Sequence, residues 1–356
     1  MMSLILTINP GSTSTKIAVF DDRKLVISKS LQHPNDEIAK FEKIADQYEF
    51  RKEAIVNFLK ENNIDLKSLA VIVGRGGLLK PIKSGVYEVN DAMKKDLLES
   101  KRGEHASNLG GLIASNLAAE AGCKAYIADP VVVDEMDDIA RVSGHPLFER
   151  RSIFHALNQK AIAKMHAAKQ NKKYEELNLV VAHLGGGVSV GAHRQGAVVD
   201  VNNALDGEGP FSPERAGTLP AMALAQLCFS GEYTLAQVKK MILGEGGLVA
   251  HLGTNSFHDV ENKVKEGDEK FKKISDAFAY NLAKAIGAMS VVLKGKVDGI
   301  LITGGIAYNK ELMDIVEEYV KSIAPVFIYP GEDEMAALAM NGLAVISGQE
   351  QPKIYE

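Results

Sequence analysis

Several hydroxyl side chains and one lysine follow the first apolar stretch of the chain, in the segment NPGSTSTK of residues 9–16. The stretches on either side, 4–8 and 16–20, have the apolar patterns of β-strands. A short turn would be enough to join two such strands, so the additional hydroxyls need another explanation. Backbone N–H groups, hydroxyls and an ammonium are the donors that a bound phosphate chain requires. The segment therefore predicts a phosphate-binding hairpin, and a polar surface hairpin is the alternative.

A second segment repeats this design in the other half of the chain. LVVAHLGGGVSVGAHRQGAVVD, which starts at residue 179, is again a strand, a tight small-residue loop, a returning strand, a turn and a third strand. The repeat indicates duplicated domains that face each other across a nucleotide cleft. A coincidence among β-turns is the alternative interpretation.

A glycine pair ends another apolar strand, in the stretch GILITGGIAYN of residues 299–309. Glycines let the backbone approach a ligand closely, and the N-terminus of a following helix favours anions. The sequence has no P-loop motif, no dinucleotide-binding G-x-G-x-x-G after a strand and no protein-kinase motif set. We therefore expect a nucleotide site built from hairpin loops and this glycine turn.

Length and composition limit the class of protein. A chain of 356 residues exceeds the size at which one core keeps growing, so two domains are expected. A net charge of −5, without a run of like charges, argues against nucleic-acid binding. The absence of a long uncharged apolar stretch and of a basic leader argues against a membrane partner and for a cytoplasmic location. Cys123 and Cys228 stand among apolar residues and are interpreted as unpaired, buried side chains.

Strand and helix patterns alternate along the chain and predict an α/β fold. The expected strands are 70–74, 125–129, 178–184, 299–305 and 326–330. The expected helices are 53–60, 107–121, 152–169, 219–229, 276–293, 310–322 and a strongly periodic helix near the C-terminus.

A series of short motifs then follows in a fixed order: INPGSTSTK, VGRGG, HASNLGG, AHLGGGVSVGA, SPERAG, ITGGIAYN and EDEMAALA. Together they resemble the acetate and butyrate kinase family, within the superfamily of sugar kinases, heat-shock ATPases and actin, over nearly the whole chain. The resemblance implies two duplicated actin-like ATPase (ribonuclease H-like) domains with mixed sheets. These would be residues 1–155, completed by the C-terminal helix 332–356, and residues 156–331, which would carry the adenosine site and the interface of a homodimer or larger oligomer.

The same resemblance implies a reaction. ATP, with Mg²⁺, would phosphorylate a short-chain fatty acid by direct in-line transfer, giving an acyl phosphate and ADP, reversibly. The acceptor carboxylate is ionised at neutral pH, so it needs no general base, unlike the alcohol of a sugar. Arg75 and Arg215 match the two active-site arginines of the family, and a guanidinium can hold a carboxylate or phosphoryl group bidentately.

The resemblance assigns roles to further residues. His183 would donate to the transferring phosphoryl group, although a histidine at a strand end is more often structural. Asp129 would organise the magnesium and the reacting groups, and Glu334 with Asn9 would hold the metal, although a glutamate in a first helical turn is stabilising in any case. The nucleotide-binding set is Asn9, Gly11, Ser12, Ser14, Lys16, Gly185, Gly186, Gly187, Gly304, Gly305 and Asn309.

The resemblance places the acyl pocket at Gly76, Gly77, His105 and Asn108, with helix N-capping around Ser107 and Asn108 as an equally good local interpretation. Acetate kinases have two valines where this chain has Gly76 and Gly77, so the glycines should enlarge the pocket by several methylenes, each worth about 0.8 kcal/mol. We therefore expect butyrate, or a branched acid such as isobutyrate, as substrate, and Gly77→Val should shift the preference toward acetate. The segment ERRSIFHALNQKAIAKMH is interpreted as an inter-domain helix without chemistry.

Alternative substrates and alternative classes of protein are also compatible with the sequence. Acetate or propionate is the alternative substrate, a sugar kinase shares the fold and the nucleotide site, and an actin-like or chaperone-like ATPase would hydrolyse ATP without an acceptor. Ser256 stands where acetate kinases have an aspartate near the adenosine, so the adenine and ribose contacts are not fixed by the resemblance.

Overall fold

The computed structural model describes residues 4–331 and 333–356, and the chain forms two compact units. The first unit ends at Val133 and resumes at Asp333, and the second unit begins at Asp134. Residues 134–155, which the sequence analysis gave to the first domain, therefore lie in the second unit. Glu332, the predicted start of the C-terminal helix, lies outside the described residues, and the helix begins at Glu334.

Eleven strands are present in the described residues. In chain order they are β1 Leu4–Pro10, β2 Ser14–Asp21, β3 Lys24–Gln32, β4 Leu69–Gly74, β5 Val86–Glu88, β6 Lys124–Ala128, β7 Asn178–Leu184, β8 Val188–Arg194, β9 Ala197–Val201, β10 Gly299–Gly304 and β11 Val326–Pro330.

The α-helices of the described residues are α1 Asn35–Ile38, α2 Tyr48–Glu61, α3 Asp91–Glu99, α4 Asn108–Ala121, α5 Asp138–Arg141, α6 Ala156–Lys169, α7 Ala221–Cys228, α8 Leu235–Leu243, α9 Gly247–Leu252, α10 Phe257–Lys265, α11 Glu269–Val292, α12 Lys310–Val320 and α13 Glu334–Ile346. Short 3-10 helices occupy Ile44–Gln47, Leu66–Ser68, Tyr174–Glu176 and Gly305–Tyr308. None of the helices in the described part of the chain has the length and apolar character needed to cross a membrane.

The first unit contains a mixed sheet with the strand order β3-β2-β1-β4-β6-β5. The first three strands form an antiparallel meander, β4 and β6 continue the sheet in parallel with β1, and β5 is an antiparallel edge strand. The central strands read as continuous apolar runs because both of their faces are buried. Helices α4 and α13 pack against them, and Gly342 of α13 lies directly over side chains of β1 and β4.

The second unit contains a mixed sheet with the strand order β11-β10-β7-β8-β9. Its meander β7-β8-β9 is antiparallel, and β10 and β11 extend it in parallel. The order β9-β8-β7-β10 thus repeats the order β3-β2-β1-β4 of the first unit, which confirms the predicted repeat of the hairpins. A core that includes Phe278, Leu282 and Ile286 of the long helix α11 covers this sheet.

Several local features differ from the sequence-based expectations. Strand β6 ends at Ala128, so Asp129 lies just beyond it. Helix α6 begins at Ala156 rather than Ser152, which leaves His155 in the segment before the helix. Cys228 is exposed at the end of α7, so its interpretation as a buried residue is wrong.

Candidate active site

The loop of the first hairpin consists of residues 11–14, because the register of β1 and β2 pairs Pro10 with Thr15. The N–H of Gly11 donates to the carbonyl of Ser14 at 2.7 Å and closes the turn. Ser12 and Thr13 are exposed, and their backbone N–H groups donate to no residue in the described parts of the chain. Two such N–H groups beside several hydroxyls are suited to bind an anion such as a phosphate group.

A carboxylate, an amide and a guanidinium meet at one point of the first unit. Glu334, in the first turn of α13, accepts hydrogen bonds from Asn9 Nδ2 and from Arg75 Nη1. Asn9 lies near the end of β1 and Arg75 directly follows β4, and the backbone N–H of Arg75 donates to the carbonyl of Ile8 at 2.8 Å. Two predicted metal-site residues and one predicted catalytic arginine are thus in direct contact.

A side chain at Gly76 or Gly77 would meet atoms of the first unit rather than open space. A Cβ atom at Gly77 would lie 2.2 Å from Oδ1 and 2.6 Å from Cα of Asn108. At Gly76 it would lie 2.7 Å from Pro130 Cβ and 2.8 Å from Ile127 Cδ1. The absence of a side chain at both positions lets the turn after β4 pack closely against these neighbours.

The side-chain amide of Asn108 forms hydrogen bonds with this turn and with the segment before α4. Its Oδ1 accepts from the N–H of Leu78 at 2.8 Å, and its Nδ2 donates to the carbonyl of Gly103 at 3.1 Å and to Ser100 Oγ at 3.2 Å. The capping interpretation is wrong, because the residue before α4, Ser107, makes no side-chain capping bond. Ser107 Oγ instead lies 2.8 Å from His105 Nδ1.

Asp129 is buried and has a left-handed backbone, with φ of 38°. Its Oδ1 accepts from Ser84 Oγ at 2.7 Å and from the N–H of Gly85 at 2.8 Å. A left-handed conformation in a residue other than glycine is strained, and such strain is concentrated at functional sites. The contacts themselves show that this carboxylate organises the 84–85 turn.

The second hairpin brings His183, three glycines and Arg215 together within the second unit. The N–H of Gly185 donates to the carbonyl of Gly187 at 3.0 Å, so this loop is also closed by its own backbone. A Cβ atom at Gly187 would lie 2.1 Å from Arg215 Nη1, which means that glycine is required for the guanidinium to lie against the loop. His183 is buried at the end of β7, beside Gly185.

The position of Arg215 is fixed by neutral partners. Its Nη1 donates to the carbonyl of Ala204 at 2.6 Å, its backbone N–H donates to Ser212 Oγ at 3.1 Å, and Ser212 Oγ in turn donates to the carbonyl of Gly186 at 2.7 Å. No carboxylate in the described part of the chain lies within 4.0 Å of this guanidinium. Burial lowers the pKa of Arg215. A buried guanidinium without a carboxylate partner is suited to bind an anionic ligand.

His155 is a candidate functional residue that the sequence analysis missed. Its ring stacks on the ring of His183 with a centroid distance of 4.2 Å, and its Cε1 would lie 3.4 Å from a Cβ atom at Gly187. Its Nδ1 lies 2.8 Å from Ser189 Oγ, which also accepts from Gln159 Nε2 at 2.8 Å. The signal in the sequence is His155 at the start of a helical pattern, followed one helical turn later by Gln159.

Gln159 continues into a buried polar chain behind this histidine pair. Its Oε1 lies 2.9 Å from His193 Nε2, and His193 Nδ1 lies 2.6 Å from the hydroxyl of Tyr174. Burial lowers the pKa of His193 well below its usual value, so this imidazole stays neutral. This row of hydrogen-bonded side chains fixes the orientation of Ser189 and, through Ser189, that of His155.

The glycine turn after β10 differs from the expectation in one respect. Gly304 exchanges backbone hydrogen bonds with Gly331 at 2.9 and 3.0 Å, and a 3-10 turn over Gly305–Tyr308 separates it from α12. Asn309 caps α12 by accepting from the N–H of Leu312 at 3.0 Å. Ser256, near the expected adenosine site, likewise caps α10.

The two mixed sheets, with the same meander and one small-residue hairpin loop in each unit, define a two-domain actin-like ATPase fold. Among solved structures, an acetate kinase from Porphyromonas gingivalis matches with a TM-score of 0.77 at 17% identity, over 97% of this chain and all of that chain. A putative N-acetylmannosamine kinase from Listeria monocytogenes matches with a TM-score of 0.52 at 14% identity, over 97% and 99%. These similarities concern the fold.

Sequence comparison gives the family. The profile of the acetokinase family matches residues 144–354. Two proteins of Clostridium acetobutylicum, named butyrate kinase 2 and butyrate kinase 1, are 56% and 54% identical to this chain. The first alignment covers 99% of both chains, and the second covers 100% of both. The chain belongs to the acetokinase family.

Proposed function

We propose that this protein transfers the γ-phosphoryl group of ATP to the carboxylate of butyrate or a similar short-chain acid, giving an acyl phosphate and ADP, reversibly. The observation that carries this proposal is the identity of 54–56%, over essentially the whole chain, to two proteins named butyrate kinase. The branched acid isobutyrate belongs to the same proposal. Acetate or propionate is the second candidate substrate, because the family and the P. gingivalis structure carry the acetate kinase name.

Two arginines support an anionic acceptor. Phosphoryl transfer through a loose transition state is catalysed mainly by positioning and by neutralisation of charge. We assign Arg75 to the substrate carboxylate and Arg215 to the transferring phosphoryl group, with His183 and His155 as donors to the same group. Arg215 suits this role because its hydrogen-bond partners are neutral and no carboxylate of the described residues forms an ion pair with it. No general base is required, since the acid is already ionised.

Mg²⁺ is proposed to arrive with the nucleotide. No group of three or more His, Cys, Asp or Glu side chains in the described part of the chain could hold a metal ion. Mg²⁺ in nucleotide sites is usually bound by one or two carboxylates together with phosphate oxygens and waters, so a single carboxylate at Glu334 with the amide of Asn9 fits it. The ion would neutralise charge on the phosphate chain. Asp129 is proposed as a positioning residue, through the turn that it holds.

We assign the nucleotide phosphates to the loop 11–14 with Lys16, and to the loop Gly185–Gly187. The adenosine is assigned to the second unit, near the turn at Gly304 and Gly305 and the residues around Asn309. ATP as substrate, together with two cysteines that form no disulfide in the described chain, supports a cytoplasmic location.

The protein is also proposed to be a homodimer or a larger homo-oligomer. Helix α7 has no buried residue although most of its side chains are apolar, and Met222 and Phe229 are 71% and 92% exposed. An eight-residue helix is marginal without packing of its apolar face. A second copy of the chain covering this helix in the second unit would provide that packing.

The direct test is a panel of acetate, propionate, butyrate and isobutyrate with ATP and Mg²⁺, in which the acyl phosphate is trapped as a hydroxamate. We expect kcat/KM to be highest for a four-carbon acid. A clear preference for acetate would contradict the assigned substrate, and a blank trap with every acid would contradict the activity. A sugar phosphate does not react with hydroxylamine, so a sugar kinase would also give a blank trap.

A further inference from the structure

Arg51 lies beneath the first hairpin loop and is wholly buried, with an exposure of 0%. It belongs to α2, far in sequence from the loop. Its Nη1 donates to the carbonyls of Gly11 at 2.8 Å and Ser14 at 3.0 Å, and its Nη2 donates to the carbonyl of Ser12 at 2.9 Å. One guanidinium therefore binds most of the loop's carbonyl groups.

The remaining carbonyl of the loop is also bound from the protein side. The N–H of His33 donates to the carbonyl of Thr13 at 2.8 Å. All four carbonyls of residues 11–14 thus have donors within the protein, whereas the N–H groups of Ser12 and Thr13 have no acceptor among the described residues. This polarity is what an anion site needs, because carbonyl oxygens facing a phosphate would repel it.

The charge of Arg51 has no counter-charge in the described part of the chain. Its remaining partners, Gln47 Oε1 at 2.8 and 3.0 Å and Thr15 Oγ1 at 3.2 Å, are neutral. Burial lowers the pKa of Arg51 to about 10, so it remains charged at neutral pH. A buried ion without a partner of opposite charge is strongly unfavourable. An anion bound on the loop would supply the missing charge.

We propose that Arg51 is the positioning residue of the nucleotide-phosphate loop, residues 11–14. Its guanidinium holds carbonyls of the loop toward the protein interior, so that the N–H groups are left for the ligand. Its uncompensated positive charge also attracts the phosphate groups of ATP through the loop. This inference rests on the proposed use of ATP. Arg51 does not touch the phosphate itself, and it acts through the loop and through its electrostatic field. The acid substrate is expected to be insensitive to it.

Gln47 offers a test that hardly disturbs the fold. Gln47→Glu is nearly isosteric and would place a carboxylate in contact with Arg51, so that the protein itself would supply the counter-charge. We expect KM for ATP to rise by about tenfold, the equivalent of one lost charge-assisted hydrogen bond, while KM for butyrate stays within about twofold. The melting temperature of the protein without nucleotide should rise or stay unchanged.

The matched control is Gln32→Glu, which makes the same change on the exposed end of β3, opposite Ser14 in the register. It adds the same negative charge near the loop but in solvent, so its effect on KM for ATP should be much smaller. Arg51→Lys is the second variant, because an ammonium keeps the charge but lacks the planar fork that binds several carbonyls. It should also raise KM for ATP.

Thermal shifts caused by ADP and by adenosine separate this inference from the proposed function. We expect Gln47→Glu and Arg51→Lys to reduce the stabilisation by ADP but not that by adenosine, which has no phosphate. An unchanged ADP shift and an unchanged KM for ATP in both variants would overturn the role of Arg51. A different result is that the variants reduce the ADP shift as expected while the unmodified protein forms no acyl phosphate with any acid. That result would overturn the proposed function and leave the inference standing.

Discussion

The two hairpin loops join the first two strands of the meander that both sheets share, yet different chemical groups surround them. The first loop carries hydroxyl side chains, and the buried Arg51 binds its carbonyls from below. The second loop consists of three glycines, and Arg215 and the stacked pair His155 and His183 lie directly against it. The comparison shows that a repeated backbone design does not repeat its chemistry, because the chemistry depends on which side chains other elements bring to the loop.

Two glycines, one in each unit, also differ in the kind of group that they make room for. Gly187 leaves room for the flexible end of Arg215, whereas Gly77 leaves room for the backbone and amide of Asn108. A guanidinium can move away from an added methyl group, but backbone in a packed turn cannot. Substitution should therefore affect activity in the first case and stability in the second.

The largest effect is expected from removing the side chain of Arg215, which lies against the second loop. Arg215→Ala should lower kcat/KM by about 1,000-fold, because it removes a positive charge from the transferring phosphoryl group. Arg215→Lys should recover only a small part, since a lysine cannot bind bidentately. Initial rates of acyl hydroxamate formation measure both. Arg194→Ala, which removes an exposed pair with Asp137 in the same unit, is the control and should be nearly neutral.

A smaller loss of activity is expected from an added methyl group in the glycine loop. Gly187→Ala should displace the Arg215 guanidinium and lower kcat by about 10- to 100-fold, with an unchanged melting temperature. Gly186→Ala is the matched control, because a Cβ atom there would meet no atom within 4 Å. If both variants keep full activity, Gly187 does not position Arg215 for the reaction.

A substitution at Gly77, in the turn after β4, should instead affect the stability of the fold. Gly77→Ala places a methyl group against Asn108 and should lower the free energy of unfolding by about 1–3 kcal/mol, as overpacking does. Urea denaturation measures this change. Gly11→Ala in the first loop should change it by less than about 0.5 kcal/mol, because its nearest new contact would be 3.5 Å away. A stable Gly77→Ala protein with altered acid preference would instead support the expected acyl pocket at this glycine.

The last effect depends on pH and concerns His33, whose backbone N–H supports the first loop. Burial, and then the charge of Arg51, lower the pKa of His33 to about 4. Since the unfolded chain binds this proton near pH 6.5, unfolding is accompanied by proton uptake between those two pH values. Stability should therefore fall as the pH drops from about 6.5 to about 4, by about 3 kcal/mol over the whole range. Urea unfolding at pH 7 and pH 5 measures this loss. His33→Gln should reduce it, and an equal loss in the variant would contradict the assignment to His33.

Local patterns explain why most of the fold could be predicted. The strands β7 and β11 have the predicted limits, and the repeated hairpins follow from alternating apolar residues interrupted by turn residues. Boundaries near Asp129 and His155 were less accurate because a strand end and a helix start depend on tertiary partners.

Long-range contacts explain what the sequence could not provide. The filling of the space at Gly77 depends on Asn108, and the orientation of the first loop depends on Arg51, each more than 30 positions away in the chain. No local pattern marks either pair. His155 could have been noticed as a polar residue at a helix start, but only its stacking on His183 connects it with the second loop.

The most direct test of the central claim compares two products of one reaction. With ATP, Mg²⁺ and butyrate, the protein should form one acyl hydroxamate for each ADP, and it should form almost no ADP when the acid is left out. ADP that accumulates at the same rate without a carboxylic acid, or without any trapped acyl group, would show that the two loops serve an ATPase and would contradict this account.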